Sequence, residues 1–155
     1  LKSYGTVILF AGGVGITYQL LHVRHLIKEA TDGLAACRQI SLVWIIRSLD
    51  SVEWVQPWFE SLLEAPRARQ ILSIRIFVTE PFDATDMTLV FPEGIELLMG
   101  RPNIDLLVNN EVRTQIGSMA VTSCGPGRMS DDVRRSCRNL QFSSDIDYHE
   151  QAFSW

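Results

Sequence analysis

The sequence predicts an α/β fold: an open, mostly parallel sheet with helices on both faces. Three observations carry that prediction. Short, almost fully apolar runs rich in β-formers have the character of parallel strands covered on both sides. Segments with helical spacing alternate with those runs. Glycine turns, two arginines and a Cys-Gly-Pro-Gly run fall at the C-terminal ends of the strands, where open α/β sheets receive ligands.

The first strand is Thr6–Ala11, and it stops at Gly12-Gly13. After Gly15 a helix begins and runs to about Ala30, with Ile16, Leu20, Val23 and Ile27 at helical spacing. A strand, a glycine turn and a helix N-terminus together form a phosphate site. The glycines let backbone approach ligand, the first helical N–H groups are unpaired, and the helix dipole favours an anion. Tyr18 stands where the strict G-x-G-x-x-G pattern has its third glycine, so a tight strand-to-helix turn without ligand competes with that reading. His22 and His25 lie on this helix without a partner Cys or carboxylate in a recognised pattern, so they read as a solvated face and not as a metal site.

Thr31-Asp32-Gly33 breaks the helix, and Ile40–Ile46 is the second strand. In a dinucleotide fold, an acidic residue at this strand's end grips the ribose 2′-hydroxyl of NAD, whereas an Arg accommodates the 2′-phosphate of NADP. Here the strand ends in Arg47, either an NADP determinant or a plain surface arginine. Asp50, with Glu53 three residues on, reads as a capping box for the second helix. That helix takes Trp54, Trp58, Leu62 and Leu63 as its apolar face and ends before Pro66. Ile74–Thr79 is the third strand, and Glu80–Pro92 reads as a surface loop.

Ile95–Met99 is a short fourth strand leading into Gly100-Arg101-Pro102, and Asn103 caps a helix to about Gln115. An Arg held between Gly and Pro either aims at a ligand phosphate or stacks on adenine, or it belongs to an ordinary turn. Gly117–Ser123 is the next buried strand, ending in Cys124-Gly125-Pro126-Gly127. A small thiol followed by Gly-Pro-Gly lets a flat ring come close to backbone; a buried structural Cys is the competing reading. The following helix places Asp131 and Asp132 in its first turn, where the dipole favours them. Asp145–His149 is the last strand.

Bulk properties narrow the function. The 155 residues make one domain with room for a real core. A net charge of −4, with scattered basic residues, argues against nucleic acid as the partner. The apolar reading from Val7 to Leu21 is broken by glycines and followed by His22 and Arg24, so it is not a membrane span. Cys37, Cys124 and Cys137 are odd in number and lack metal-ligand spacing, which suggests a reducing compartment without disulfides. The chain opens on Leu and is expected to be a fragment of a longer protein.

The ordered set G-G-V-G-I-T at 12–17, W-I-I-R at 44–47, G-R-P at 100–102, C-G-P-G at 124–127 and the ending E-Q-A-F-S-W resembles the NADPH-binding domain of ferric reductases and NADPH oxidases. The C-G-P-G-R-M-S-D-D-V-R run and the final Trp look most like the fungal ferric reductase branch. The resemblance implies a ferredoxin-reductase type nucleotide fold, with NADPH passing hydride to FAD and electrons going on through haems to ferric ion. It implies that Gly12, Gly13, Gly15 and Thr17 hold the pyrophosphate, and that Arg47 and Arg101 serve the 2′-phosphate and adenosine end. Cys124, Gly125 and Pro126 would line the nicotinamide pocket, with Phe153 and Trp155 beside the flavin. Of these, Cys124 and Trp155 would act closest to the hydride transfer. Tyr18 departs from the family, which usually has Pro just after G-I-T.

On this reading the chain is the cytosolic lobe of an integral membrane flavocytochrome, with its FAD-binding and haem-bearing transmembrane domains elsewhere in the parent. The three histidines here are not haem ligands. An oxidase delivering electrons to oxygen would use the same lobe. A methyltransferase using S-adenosylmethionine wants a carboxylate where Arg47 stands, and a nucleotide-sensing module would have no use for Cys124-Gly-Pro-Gly.

Overall fold

The computed structural model describes residues 1–83 and 91–151. Among them run six strands, β1 (Thr6–Gly12), β2 (Gln39–Ile46), β3 (Leu72–Val78), β4 (Ile95–Met99), β5 (Met119–Cys124) and β6 (Ile146–Gln151). Between them lie α1 (Ile16–Thr31), α2 (Asp50–Leu63), the short α3 (Ala68–Ile71), α4 (Ile104–Arg113) and α5 (Gly127–Leu140). The strands form one sheet in the order β4-β3-β2-β1-β5-β6, and every neighbouring pair is parallel. The chain therefore steps outward from β1 to β4, then returns to lay β5 on the other side of β1. That reversal makes a topological switch point between the C-terminal ends of β1 and β5.

The period-two alternation of each strand sends its apolar residues into two separate cores. On one face Val7, Leu9, Ile40, Leu42, Ile74 and Ile76 pack against α1, α2 and α3. On the other, Ile8, Phe10, Val43, Met119 and Val121 meet Val108 of α4 and Met129, Val133 and Cys137 of α5. Every residue of β1 and of β5 is buried, as the apolar runs predict for strands at the centre of a covered parallel sheet. Thr6–Ala11 and Ile95–Met99 were thus legible almost to the residue, and Asn103 does cap α4, its side chain accepting from the Leu106 N–H at 3.1 Å.

Three local expectations need correction. Asp50 is the first residue of α2 and not its cap; Leu49 precedes it, and no side chain caps that end. Trp54 and Trp58 are half exposed at 47% and 49%, packing edge to face on each other at 6.3 Å. The inner stripe of α2 is Val52, Val55, Phe59, Leu62 and Leu63, whose spacing of three and four sets it, and the two tryptophans fall on the neighbouring row. Asp131 and Asp132 lie beyond the first turn of α5, because the helix already starts at Gly127 behind Pro126. They pair instead with Arg134 and Arg135 three residues on, each at 2.8 Å.

Candidate functional site

The C-terminal ends of β1 and β5 carry the two glycine-rich turns, and register brings them together, with Ala11 opposite Cys124. At Gly15 a Cβ would lie 2.1 Å from the Cys124 carbonyl oxygen, so only glycine lets α1 start so close to the end of β5. At Gly12 a Cβ would meet the Pro126 ring at 2.6 Å. These two glycines are fully engaged in joining the turns. Gly13 differs: its φ is +53°, a left-handed conformation that side chains resist, and a Cβ there would meet nothing within 4 Å. Its outer side is open, as an approach to backbone requires.

The turn itself is a single 3-10 turn, Gly13–Gly15, that runs straight into α1. No side chain caps α1 and its first turn holds no acidic residue, so the positive pole of its dipole is not neutralised, while the Ile16 N–H donates back to the Gly13 and Val14 carbonyls. The Thr17 hydroxyl donates back to the Val14 carbonyl at 3.0 Å, beside that pole. The open backbone at Gly13, the uncompensated helix pole and the neighbouring hydroxyl suit an anion such as a pyrophosphate.

Buried polar groups brace this turn from below, and the sequence reading missed them. The fully buried Trp44 donates its indole N–H to the Gly13 carbonyl at 2.9 Å while its ring packs edge to face on Phe59. Gln19, fully buried in the first turns of α1, donates to the Phe10 carbonyl and to Thr122 Oγ1, both at 2.9 Å. Behind Cys124, the Ser123 hydroxyl donates to Ser130 Oγ at 3.1 Å and shares a 2.6 Å hydrogen bond with Tyr148. The Tyr148 hydroxyl also lies 3.2 Å from the Ser130 carbonyl, and Arg134 stands over its ring. A Trp inside an aliphatic strand and a Gln beside an apolar helical stripe were the signals available.

Cys124 is itself fully buried, and burial raises its thiol above the usual range. The protonated thiol packs under the turn and is no nucleophile at neutral pH. Gly125 and Pro126 lie above it, Gly125 half-buried and Pro126 exposed. Cys37 and Cys137 are buried and unpaired as well. Phe153 and Trp155 lie outside the described residues.

Arg47 and Arg101 stand at the same C-terminal edge of the sheet, after β2 and β4, and both are exposed. The Arg47 side chain is 89% exposed and its Nη2 lies 3.4 Å from Glu80 Oε1. Arg101 follows Gly100, whose φ of +94° turns the chain out of β4. The sequence thus named residues of all four turns at this edge, and the structure joins two of those turns by direct contact. His25 sits 3.7 Å from Glu29 and His22 rests edge to face on Tyr18, while no cluster fit to hold a metal occurs among the described residues. A groove of about 570 Å³ between α1 and α2, lined by Leu21, Arg24, Lys28 and Trp58, lies on the helical face, and of the turn residues it reaches Thr17 alone.

Comparison with known proteins agrees with this geometry. Residues 4–138 match the family described as the ferric reductase NAD binding domain. Dual oxidase 2 of Rattus norvegicus is 25% identical over 94% of the chain, which spans 11% of that relative. The probable ferric reductase transmembrane component of Candida albicans is 27% identical over 99% of the chain, which spans 26% of it. The chain thus corresponds to a minor part of both relatives. In structure, the CS-b5R domains of human Ncb5or in their NAD+ form superpose with a TM-score of 0.57 at 17% identity, over 94% of this chain and 36% of that one, a likeness of fold.

Proposed function

The chain belongs to the ferric reductase NAD binding domain family, and from that premise we propose that it draws electrons from NADPH for a membrane ferric-chelate reductase. The family is one of oxidoreductases, and this chain is its NAD(P)-binding lobe. One observation carries the reading furthest: Gly15 against Cys124 and Gly12 against Pro126 join two ligand-facing turns at the switch point of the sheet. Gly13 and Thr17 face the pyrophosphate, on a turn whose shape Gly12 and Gly15 set by their close packing. Arg47 and Arg101 take the 2′-phosphate and adenosine end. Gly125 and Pro126, floored by Cys124, form the wall on which the nicotinamide ring rests, and Phe153 and Trp155 belong beside the flavin.

When bound, NADPH supplies a hydride from nicotinamide C4 to the FAD held by another domain of the parent chain, which lies at the cytosolic face of a membrane and passes electrons to haem. This chain's own part is placement. Trp44 and Gln19 hold the turn in one conformation before the ligand arrives, so little ordering remains to be done on binding. Taken without a flavin to accept the hydride, a lobe of this kind binds nucleotide and turns over little. An oxidase parent is the second reading, favoured by the similarity to dual oxidases.

Titration of the chain with NADPH, followed by tryptophan fluorescence or calorimetry, tests the reading. Saturable binding that added pyrophosphate displaces is the expected result. A folded chain that binds neither NADPH nor NADH at millimolar concentration would overturn it. With the parent protein, reduction of ferric chelate without oxygen consumption separates the reductase from the oxidase.

A further inference from the structure

Glu80 opens the stretch after β3 that the sequence reads as a surface loop, with no role assigned to it there, yet it is tied to Arg47 twice. Its backbone N–H donates to the Arg47 carbonyl at 2.9 Å, one step beyond the Thr79 to Ile46 hydrogen bond at 2.8 Å. The ladder between β2 and β3 thus continues past both strands and fixes the two backbones side by side. Across this pair the Glu80 carboxylate lies 3.4 Å from the Arg47 guanidinium, with both side chains open to solvent. The edge of the sheet therefore carries both chemistries that discriminate nicotinamide nucleotides: a cation suited to a 2′-phosphate, and a carboxylate suited to a 2′-hydroxyl.

We propose that Glu80 is a specificity-determining residue of this site, accepting the ribose 2′-hydroxyl of NADH and competing with the 2′-phosphate of NADPH for Arg47. The proposal rests on the nucleotide-binding reading above. A 2′-phosphate that reaches Arg47 must displace the Glu80 carboxylate and then sit beside a like charge. NADH meets neither obstacle, and its 2′-hydroxyl can donate to the carboxylate. The lobe therefore accepts both nucleotides, and its preference for NADPH is narrower than Arg47 alone would set.

The test is a calorimetric titration of the wild-type chain and of Glu80→Gln with NADPH, NADH, 2′,5′-ADP and 5′-AMP. The last two differ in the 2′-phosphate and lack nicotinamide, so they read the adenine end alone. The carboxamide keeps the size of the side chain and removes its charge. In Glu80→Gln, NADPH and 2′,5′-ADP should tighten by about two- to fivefold, the range an exposed charge pair commands. NADH should weaken by a similar factor, and the tightening should shrink in high salt. Unchanged ratios of NADPH to NADH and of 2′,5′-ADP to 5′-AMP, with both nucleotides still bound by wild type, would overturn the role of Glu80 and leave the nucleotide lobe intact. A wild-type chain that binds neither nucleotide would overturn both.

Discussion

Individual residues at this site separate into those that shape backbone and those that meet ligand. Gly15 is of the first kind. In Gly15→Ala the new methyl would press on the Cys124 carbonyl, backbone against backbone, and neither side can yield cheaply. A loss of about 1–3 kcal/mol in unfolding free energy is expected from denaturant titration; Gly13→Ala, strained but unobstructed, should lose less. Arg47, on the proposed reading, is of the second kind. Because a hydrogen bond to a charged group contributes about 1.5–3 kcal/mol, Arg47→Ala should weaken NADPH by about ten- to a hundredfold and spare NADH. Equal losses for both nucleotides would remove Arg47 from the 2′-phosphate. Cys124→Ser, in a protein carrying the flavin domain, should slow hydride transfer in stopped flow while leaving affinity at the adenine end intact; an unchanged rate would make Cys124 a packing residue alone. The glycines were readable from the sequence because their spacing states a backbone need directly. Trp44 and Gln19 were not, since their partners Gly13 and Thr122 lie 31 and 103 residues away along the chain.

Among the elements, the alternation of strands and helices was legible, but which row of a helix faces inward was less so. Large aromatic rings weighed toward the core in α2, whereas the smaller Val52 and Val55 set the inner row and leave Trp54 and Trp58 at the surface. For α5 the anchor is its contact with β5 and β6. Tyr148→Phe removes the hydroxyl that joins Ser123 to Ser130, and should cost about 1–2 kcal/mol in denaturant unfolding. The same helix carries Cys137, whose thiol burial pushes up from 9.0 to about 12. A raised thiol pKa stabilises the fold fully below pH 9 and less and less as pH climbs toward 12. Stability should therefore be level through neutral pH and decline across that window, and Cys137→Ala should flatten the decline. An equally steep loss in the variant would place its cause elsewhere.

For the molecule as a whole, the polarity of the sheet followed from its connections, but the order of strands did not. Nothing in the spacing of apolar runs says that β5 returns to the side of β1; that is settled by packing, through Gly12, Gly15 and their neighbours in the second turn. The parent protein adds a prediction of its own. If Trp155 covers the flavin in the two-domain protein, deleting it should tighten nicotinamide binding and relax the choice between NADPH and NADH; unchanged affinities and flavin reduction rates would dispose of that gate. The return of β5 also bears on how the chain matures. Thr6 lies opposite Met119, so the edge of β1 away from β2 stays unpaired during synthesis until β5 has left the ribosome. Contacts this distant in sequence are slow to form. The joined glycine turns are thus completed only after β2, β3 and β4 have been made, and nascent chains halted before Met119 would hold the first turn with no wall to close it.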